Sequence, residues 1–166
     1  SLIVDGTTSF AGGTVTTTDA QGEDGSQTYG GLVTLSVDTT LTALMTAAGP
    51  STGTFMNGVD GAGNDLTLSF QGLTTLTGNI SNVKNLTSDN GNNTIINAAG
   101  ITTTGFQQYD DAVILQQDTD LEPGGASMVS FNSTVDGTVD GTESLTVSGN
   151  VVFGNDAADL VGDTMR

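Results

Sequence analysis

Apolar and polar residues alternate along this chain in short runs, and the spacing of a helix is almost absent. The runs "SLIVD", "TVTTT", "GLVTLSV", "TLTAL", "GTFMNGV", "DLTLSF", "TTLTGNI", "NTIIN", "ITTTG", "DAVILQ", "SMVSFNSTV", "SLTVSG" and "NVVFG" are rich in β-branched residues and keep a period of two. Gly, Asn and Asp punctuate them. This is the pattern of strands with one face buried and the other turned outward. Only "NDAADLVGDTMR", residues 155–166, carries helix-like spacing. The chain is predicted to be all-β.

The runs also echo one another. "SQTYGGLVTLSVDTTL" at Ser26 to Leu41 returns as "FQQYDDAVILQQDTDL" at Phe106 to Leu121, pairing Tyr29 with Tyr109, Val33 with Val113, Leu35 with Leu115 and Asp38 with Asp118. "TVTTT" at Thr14 answers "GITTTG" at Gly100, "VDG" at Val59 answers "VDG" at Val135, and "DLTLS" answers "SLTVS". The order is kept while the offset drifts through insertions such as "AQGEDG", Ala20 to Gly25. Two degenerate repeats are expected, residues 1–84 and 85–166, within one continuous solenoid.

About six strands are recognisable in each repeat, so each should hold three or four coils of roughly twenty-odd residues. Stacked coils bury a shared core that no single coil could supply. Inward Val, Ile and Leu contribute roughly 1.5–3 kcal/mol each on burial. A ladder hydrogen bond nets about 1 kcal/mol, so column and ladder are comparable terms. Antiparallel β-sandwich repeats are the alternative architecture. Asn79, Asn97, Asn132 and Asn155 stand near turns, where they form amide ladders or accept left-handed backbone.

Lys84 and Arg166, the two cations of the chain, occupy the same place in the two repeats, and the last residues read as though another copy of the first should follow. No capping sequence is evident at either end. Open solenoid ends are adhesive edges. The expectation is a segment of a long tandem array, or a protomer that stacks head to tail.

Composition sharpens this. Glycine is abundant at 24 of 166 residues, aromatics make up 5%, and tryptophan and cysteine are absent, so the core must be narrow, aliphatic and free of disulfides. The formal net charge of −17 disfavours nucleic acid and anionic membrane surfaces as partners and favours cations. No apolar run approaches the ~20 residues of a membrane helix, and the opening "SLIVDG" lacks the features of a signal peptide.

"TVTTT", "SQTYGGLVTLSVDTTL" and "TFMNGVDGAGNDLTL", with their second-copy partners, resemble the β-strand repeats of very large bacterial surface and secreted proteins. Those include filamentous-haemagglutinin-like adhesins and autotransporter passenger domains. The resemblance covers essentially the whole chain. It implies a right-handed parallel β-helix outside a cell, non-enzymatic, in a long stalk or fibre. Its partners would be other copies of itself or neighbouring repeats, with cell-surface glycans as the ligand class of an adhesive role. The chain departs from the pattern at the "GEDG" insertion and where Gly30 and Gly31 become Asp110 and Asp111.

Calcium is the cofactor the acidic turns suggest. "VDGAGND" gathers Asp60, Asn64 and Asp65 around two glycines, and "VDGTVDGTE" gathers Asp136, Asp140 and Glu143. Calcium takes six to eight oxygens, and glycine turns offer carbonyls, although neither EF-hand spacing nor the nonapeptide calcium repeat is present. The competing reading is ordinary turn aspartates. Asp110 and Asp111, with Asp118 and Asp120, form a further acidic cluster. The pair Asp110 and Asp111 could also mimic a polysaccharide-cleaving dyad, but there is no histidine to support it, and stabilising an anionic substrate is hard with two cations. Threonine arrays would suit an ice-binding face only with Thr-x-Thr on one side in coil after coil, and their spacing looks too irregular. The acceptor pattern Asn-x-Ser/Thr at Asn79, Asn85, Asn92 and Asn132 is incidental in a chain so rich in these residues.

Overall fold

A three-residue strand turns only one or two side chains inward, so a chain of such strands gains a core only by stacking. The structure, a computed structural model, describes residues 1–18, 25–44, 49–139 and 141–154. Among these residues there are twenty-one strands and no helix. The "GEDG" insertion up to Asp24, Asn155, Arg166 and the helix-like segment 155–166 lie outside them.

The strands form three seven-stranded sheets, and every ladder is parallel, which excludes the sandwich alternative. The first sheet holds β1 (Leu2–Val4), β4 (Gln27–Tyr29), β7 (Gly53–Phe55), β10 (Leu73–Thr77), β13 (Asn93–Asn97), β16 (Ala112–Leu115) and β19 (Val135–Gly137). The second holds β2 (Thr8–Phe10), β5 (Val33–Leu35), β8 (Val59–Asp60), β11 (Ile80–Val83), β14 (Gly100–Thr103), β17 (Thr119–Glu122) and β20 (Leu145–Val147). The third holds β3 (Thr14–Thr18), β6 (Thr39–Leu44), β9 (Leu66–Phe70), β12 (Leu86–Asp89), β15 (Gln107–Tyr109), β18 (Met128–Phe131) and β21 (Asn150–Phe153). Each coil visits the three sheets in turn. The molecule is a three-sided parallel β-helix.

Register aligns the inward residues into columns. On the second sheet Val33, Val59, Ile80, Ile101 and Leu121 lie in successive rungs, and all are buried. On the third, Leu41, Leu68, Ser88, Tyr109 and Phe131 do the same. Aromatic rings stack within columns: Tyr29 on Phe55 at 5.2 Å and Tyr109 on Phe131 at 5.3 Å between centroids.

The sequence echo has a structural form that spacing alone does not show. Each repeat was expected to hold about six strands; Leu2 to Val83 holds eleven, because the shortest strands are too brief for a periodicity. Echoed segments lie eleven strands apart: β1 and β12, β3 and β14, β4 and β15, β5 and β16, β8 and β19, β9 and β20. Eleven is one short of four three-strand coils, so each feature returns on the adjacent face. Tyr29 lies in the first sheet and Tyr109 in the third. Their settings nevertheless match. Tyr29 Oη donates to Gln27 Oε1 at 2.7 Å, and Tyr109 Oη donates to Gln107 Oε1 at 3.1 Å. Asp38 Oδ1 accepts the Asp65 amide from the next coil, as Asp118 Oδ1 accepts that of Ser144, both at 2.9 Å. Thr39 and Thr119 each donate to the carbonyl two residues before, Val37 and Gln117. One corner has been built twice, turned by one face.

The buried phenols make a testable consequence. Burial pushes Tyr29 up to about 12 and Tyr109 further in the same direction. A phenol whose pKa is raised in the fold lends stability that is complete below the unfolded value near 10 and is lost as pH rises above it. Phenolate absorbance should therefore appear together with loss of the β-sheet circular dichroism signal, at a pH above that of a free tyrosine. Ionisation near pH 10 with the fold intact would contradict the burial.

Candidate functional site

Backbone ladders consume the amides within each sheet, so chemistry is left to the corners, the outward faces and the ends. The corner between the second and third sheets carries a ladder of short side chains. Asp38 accepts the Asp65 amide, Asp65 Oδ1 accepts Asn85 N at 3.2 Å and Nδ2 at 2.9 Å, and Asn85 Oδ1 accepts the Phe106 amide at 3.1 Å. Each side chain caps the start of the strand one coil on, satisfying an amide at the turn. Between the first and second sheets, Asn79 Oδ1 does this for Gly100.

The proposed calcium ligands are placed by these turns. Asp60 Oδ1 accepts Ala62 N and Asn82 Nδ2, both at 3.1 Å. Asn64 donates to the Leu35 and Gly61 carbonyls, and Asp65 Oδ2 pairs with Lys84 Nζ at 3.5 Å, an exposed pair of the kind contributing about 0–1 kcal/mol. Asp136 Oδ1 accepts its neighbour Gly137 N at 2.9 Å. Glu143 accepts the Thr138 and Thr142 hydroxyls and the Val139 amide, and those bonds, Thr138's first, hold its carboxyl below the usual range. Asp140 lies outside the described residues. Among the described residues no three acidic side chains converge where an ion would be shared.

The acidic pair Asp110 and Asp111 divides at the corner between the third and first sheets. Asp110 is half-buried, and its oxygens accept from Gln108 Nε2 and Asn132 Nδ2. Asp111 is 7% exposed, and its Oδ1 accepts Gly91 N at 2.9 Å. Burial pushes the Asp111 carboxyl above the usual carboxylate range; the Gly91 amide and Thr94 hydroxyl pull it back, and the charges of Asp89 and Asp110 push it further. Asp89, whose charge acts on Asp111, and the buried Gln27 and Gln107, which accept from the Tyr29 and Tyr109 hydroxyls, are not among the residues picked from sequence. A glutamine two residues before a tyrosine in both copies was the available signal.

The outward face of the third sheet is more regular than the spacing suggested. Thr14 and Thr16, Thr40 and Thr42, and Thr67 and Ser69 stand in register on three successive rungs. Further on, the same positions are Thr87 and Asp89, then Gln108 and Asp110, so the threonine array stops after three coils. Beyond it, Phe106, Gln108, Ser127, Met128 and Ser130 line a groove of about 370 Å³.

The last described rung is open. Val151 and Phe153 continue the inward columns of Val129 and Phe131. Each is 39% exposed, whereas Val129 and Phe131 directly beneath are 0% and 1% exposed. Phe153 stacks on Phe131 at 5.3 Å through one ring face. No family model, no curated protein and no solved structure matches the chain.

Proposed function

We propose that this chain is a non-enzymatic, extracellular structural and adhesive β-solenoid, a length of a long surface stalk or fibre that continues by β-stacking along its axis. The observation that supports this reading best is the open rung at β21, whose inward Val151 and Phe153 are shaped like core and left without an upper neighbour among the described residues. A parallel rung laid on it would pair the strand and cover these side chains at roughly 25 cal/mol per Å² of apolar surface. The chain's resemblance to the repeats of large bacterial surface proteins supplies the cellular setting. Cell-surface glycans are the ligand class for the adhesive part of the role.

Sedimentation velocity over a concentration series, with negative-stain electron microscopy, tests the stacking. The wild-type chain should form rods whose length grows with concentration. Phe153→Asp should shorten them or leave single particles, because a buried carboxylate at the junction is strongly unfavourable. Wild-type protein that remains monomeric at high concentration would remove self-assembly from the reading.

A further inference from the structure

Inside the molecule the second repeat already sits on the first, and that seam is a template for another. β12 and β13 lie on β9 and β10, with Leu86 over Leu66, Ser88 over Leu68, Thr94 over Thr74 and Ile96 over Leu76. All eight of these side chains are 0–1% exposed. Eleven strands on, the counterparts of β9 and β10 are β20 and β21, and their inward side chains are incompletely covered. Leu145 and Val147 are half-buried, and Val151 and Phe153 are each 39% exposed. At the other end, the counterparts of β12 and β13 are β1 and β2, whose inward Leu2, Val4 and Thr8 are half-buried as well. The apolar side chains that touch the core but are only partly buried, Leu2, Val4, Val15, Leu145 and Val147, all belong to the first and last described coils.

Resting on the stacking reading above, we propose that a second copy of this chain docks on the last rungs turned by one face, its β1 on β20 and its β2 on β21. The register of the internal seam then sets Leu2 over Leu145, Val4 over Val147, Thr8 over Val151 and Phe10 over Phe153. Three of these four pairs are apolar on apolar, and Phe10 prolongs the ring column of Tyr109, Phe131 and Phe153. The outward pairs, Ile3 over Thr146 and Ser9 over Val152, bring no two carboxylates together, which matters between chains of net charge −17. The place above β19 stays outside the junction, where Val135 is already 0% exposed and Gly137 has no side chain to cover. An unrotated copy fits less well. With β1 on β19, Val4 would stand over Gly137, and the Thr8 and Thr17 hydroxyls over Leu145 and Phe153. Rotation the other way sets β1 on β21 and leaves Leu145 and Val147 without a strand directly above them.

Disulfide trapping separates the three arrangements, because the chain has no cysteine of its own. Residues paired on adjacent rungs lie about 4.8 Å apart, within the Cα separation that a disulfide spans. Ile3 is 64% exposed and outward, as are Thr146, Asp136 and Val152, so cysteines there leave the core intact. Under mild oxidation, Ile3→Cys with Thr146→Cys should give a covalent ladder of end-to-end oligomers, the linked peptides being identified by mass spectrometry. Single-cysteine variants can give dimers at most. Ile3→Cys with Asp136→Cys reports the unrotated copy, and Ile3→Cys with Val152→Cys the opposite rotation. A ladder from either of these pairs, or rods in electron micrographs with no ladder from the Thr146 pair, overturns the rotated junction and leaves stacking itself standing. Variants that keep the β-sheet circular dichroism spectrum yet form neither rods nor ladders overturn the junction and the stacking reading together.

Discussion

Replacing Phe131 with alanine is expected to cost about 3–5 kcal/mol, the range for deleting a buried phenylalanine. The ring is sandwiched between Tyr109 and Phe153, at 5.3 Å from each and within 14° and 13° of coplanar. Its removal forfeits two stacked contacts, each worth about 0.5–1.5 kcal/mol beyond buried area. The cavity cannot close easily, because strand ladders hold the rungs at their spacing of about 4.8 Å. Met128→Ala in the same strand, 42% exposed, should change stability by no more than about 0.5 kcal/mol. Urea unfolding followed by circular dichroism reads both. Stacked coils also interact mainly with their neighbours, so the damage should be local. Hydrogen exchange should accelerate most in β18 and β21 and least in β4 to β9. Equal costs for the two substitutions, or uniform acceleration, would mean that the aromatic column does not carry these coils.

The second large effect is expected at Gly58. Its φ is +77°, and a Cβ there would lie 2.1 Å from the Asn79 carbonyl oxygen of the next coil. Gly63 offers the control: φ is +86°, with nothing within 4 Å of a built Cβ. Gly63→Ala should therefore cost only the left-handed backbone penalty, roughly 1–2 kcal/mol. Gly58→Ala carries that penalty plus an overlap with main chain that can be relieved only by separating two rungs. It should cost at least about 2 kcal/mol more, since overpacking alone typically adds 1–3 kcal/mol, and a large part of the product should be insoluble. Thermal melts of both variants measure the difference. Near-equal melting temperatures would show that the coils part at this corner without penalty.

Much of the fold was legible because β-branched residues at alternate positions, punctuated by glycine and aspartate, admit few other readings. β1, β3, β9 and β13 stand where the pattern placed them. β2, β4, β12, β15 and β17 were not recognised, for two physical reasons. Three or four residues are too few to display a period, and several inward positions are polar: Gln27, Ser88, Gln107 and Thr119 are buried because each finds a hydrogen-bond partner inside. Coil length was also hidden. Twenty-six residues separate Thr14 from Thr40 (40 − 14), but only 20 separate Thr67 from Thr87 (87 − 67), although both are single steps of one ladder. Variable corners absorb the difference, which is why the threonine rows looked irregular. The corner at Asp111 was half legible. Two adjacent aspartates were visible, but the Gly91 amide that Asp111 accepts comes from the preceding coil, which no local spacing encodes.

The eleven-strand offset bears on how such a shaft would behave mechanically. Were the unit twelve strands long, each bulky insertion and each acidic turn would fall along a single side, and the shaft would bow like a bimetallic strip and present one charged edge. With eleven, three successive units are needed before a feature returns to its starting azimuth, so weight, charge and compliance are distributed around the axis. A shaft extended by this unit would have no preferred plane of flexure.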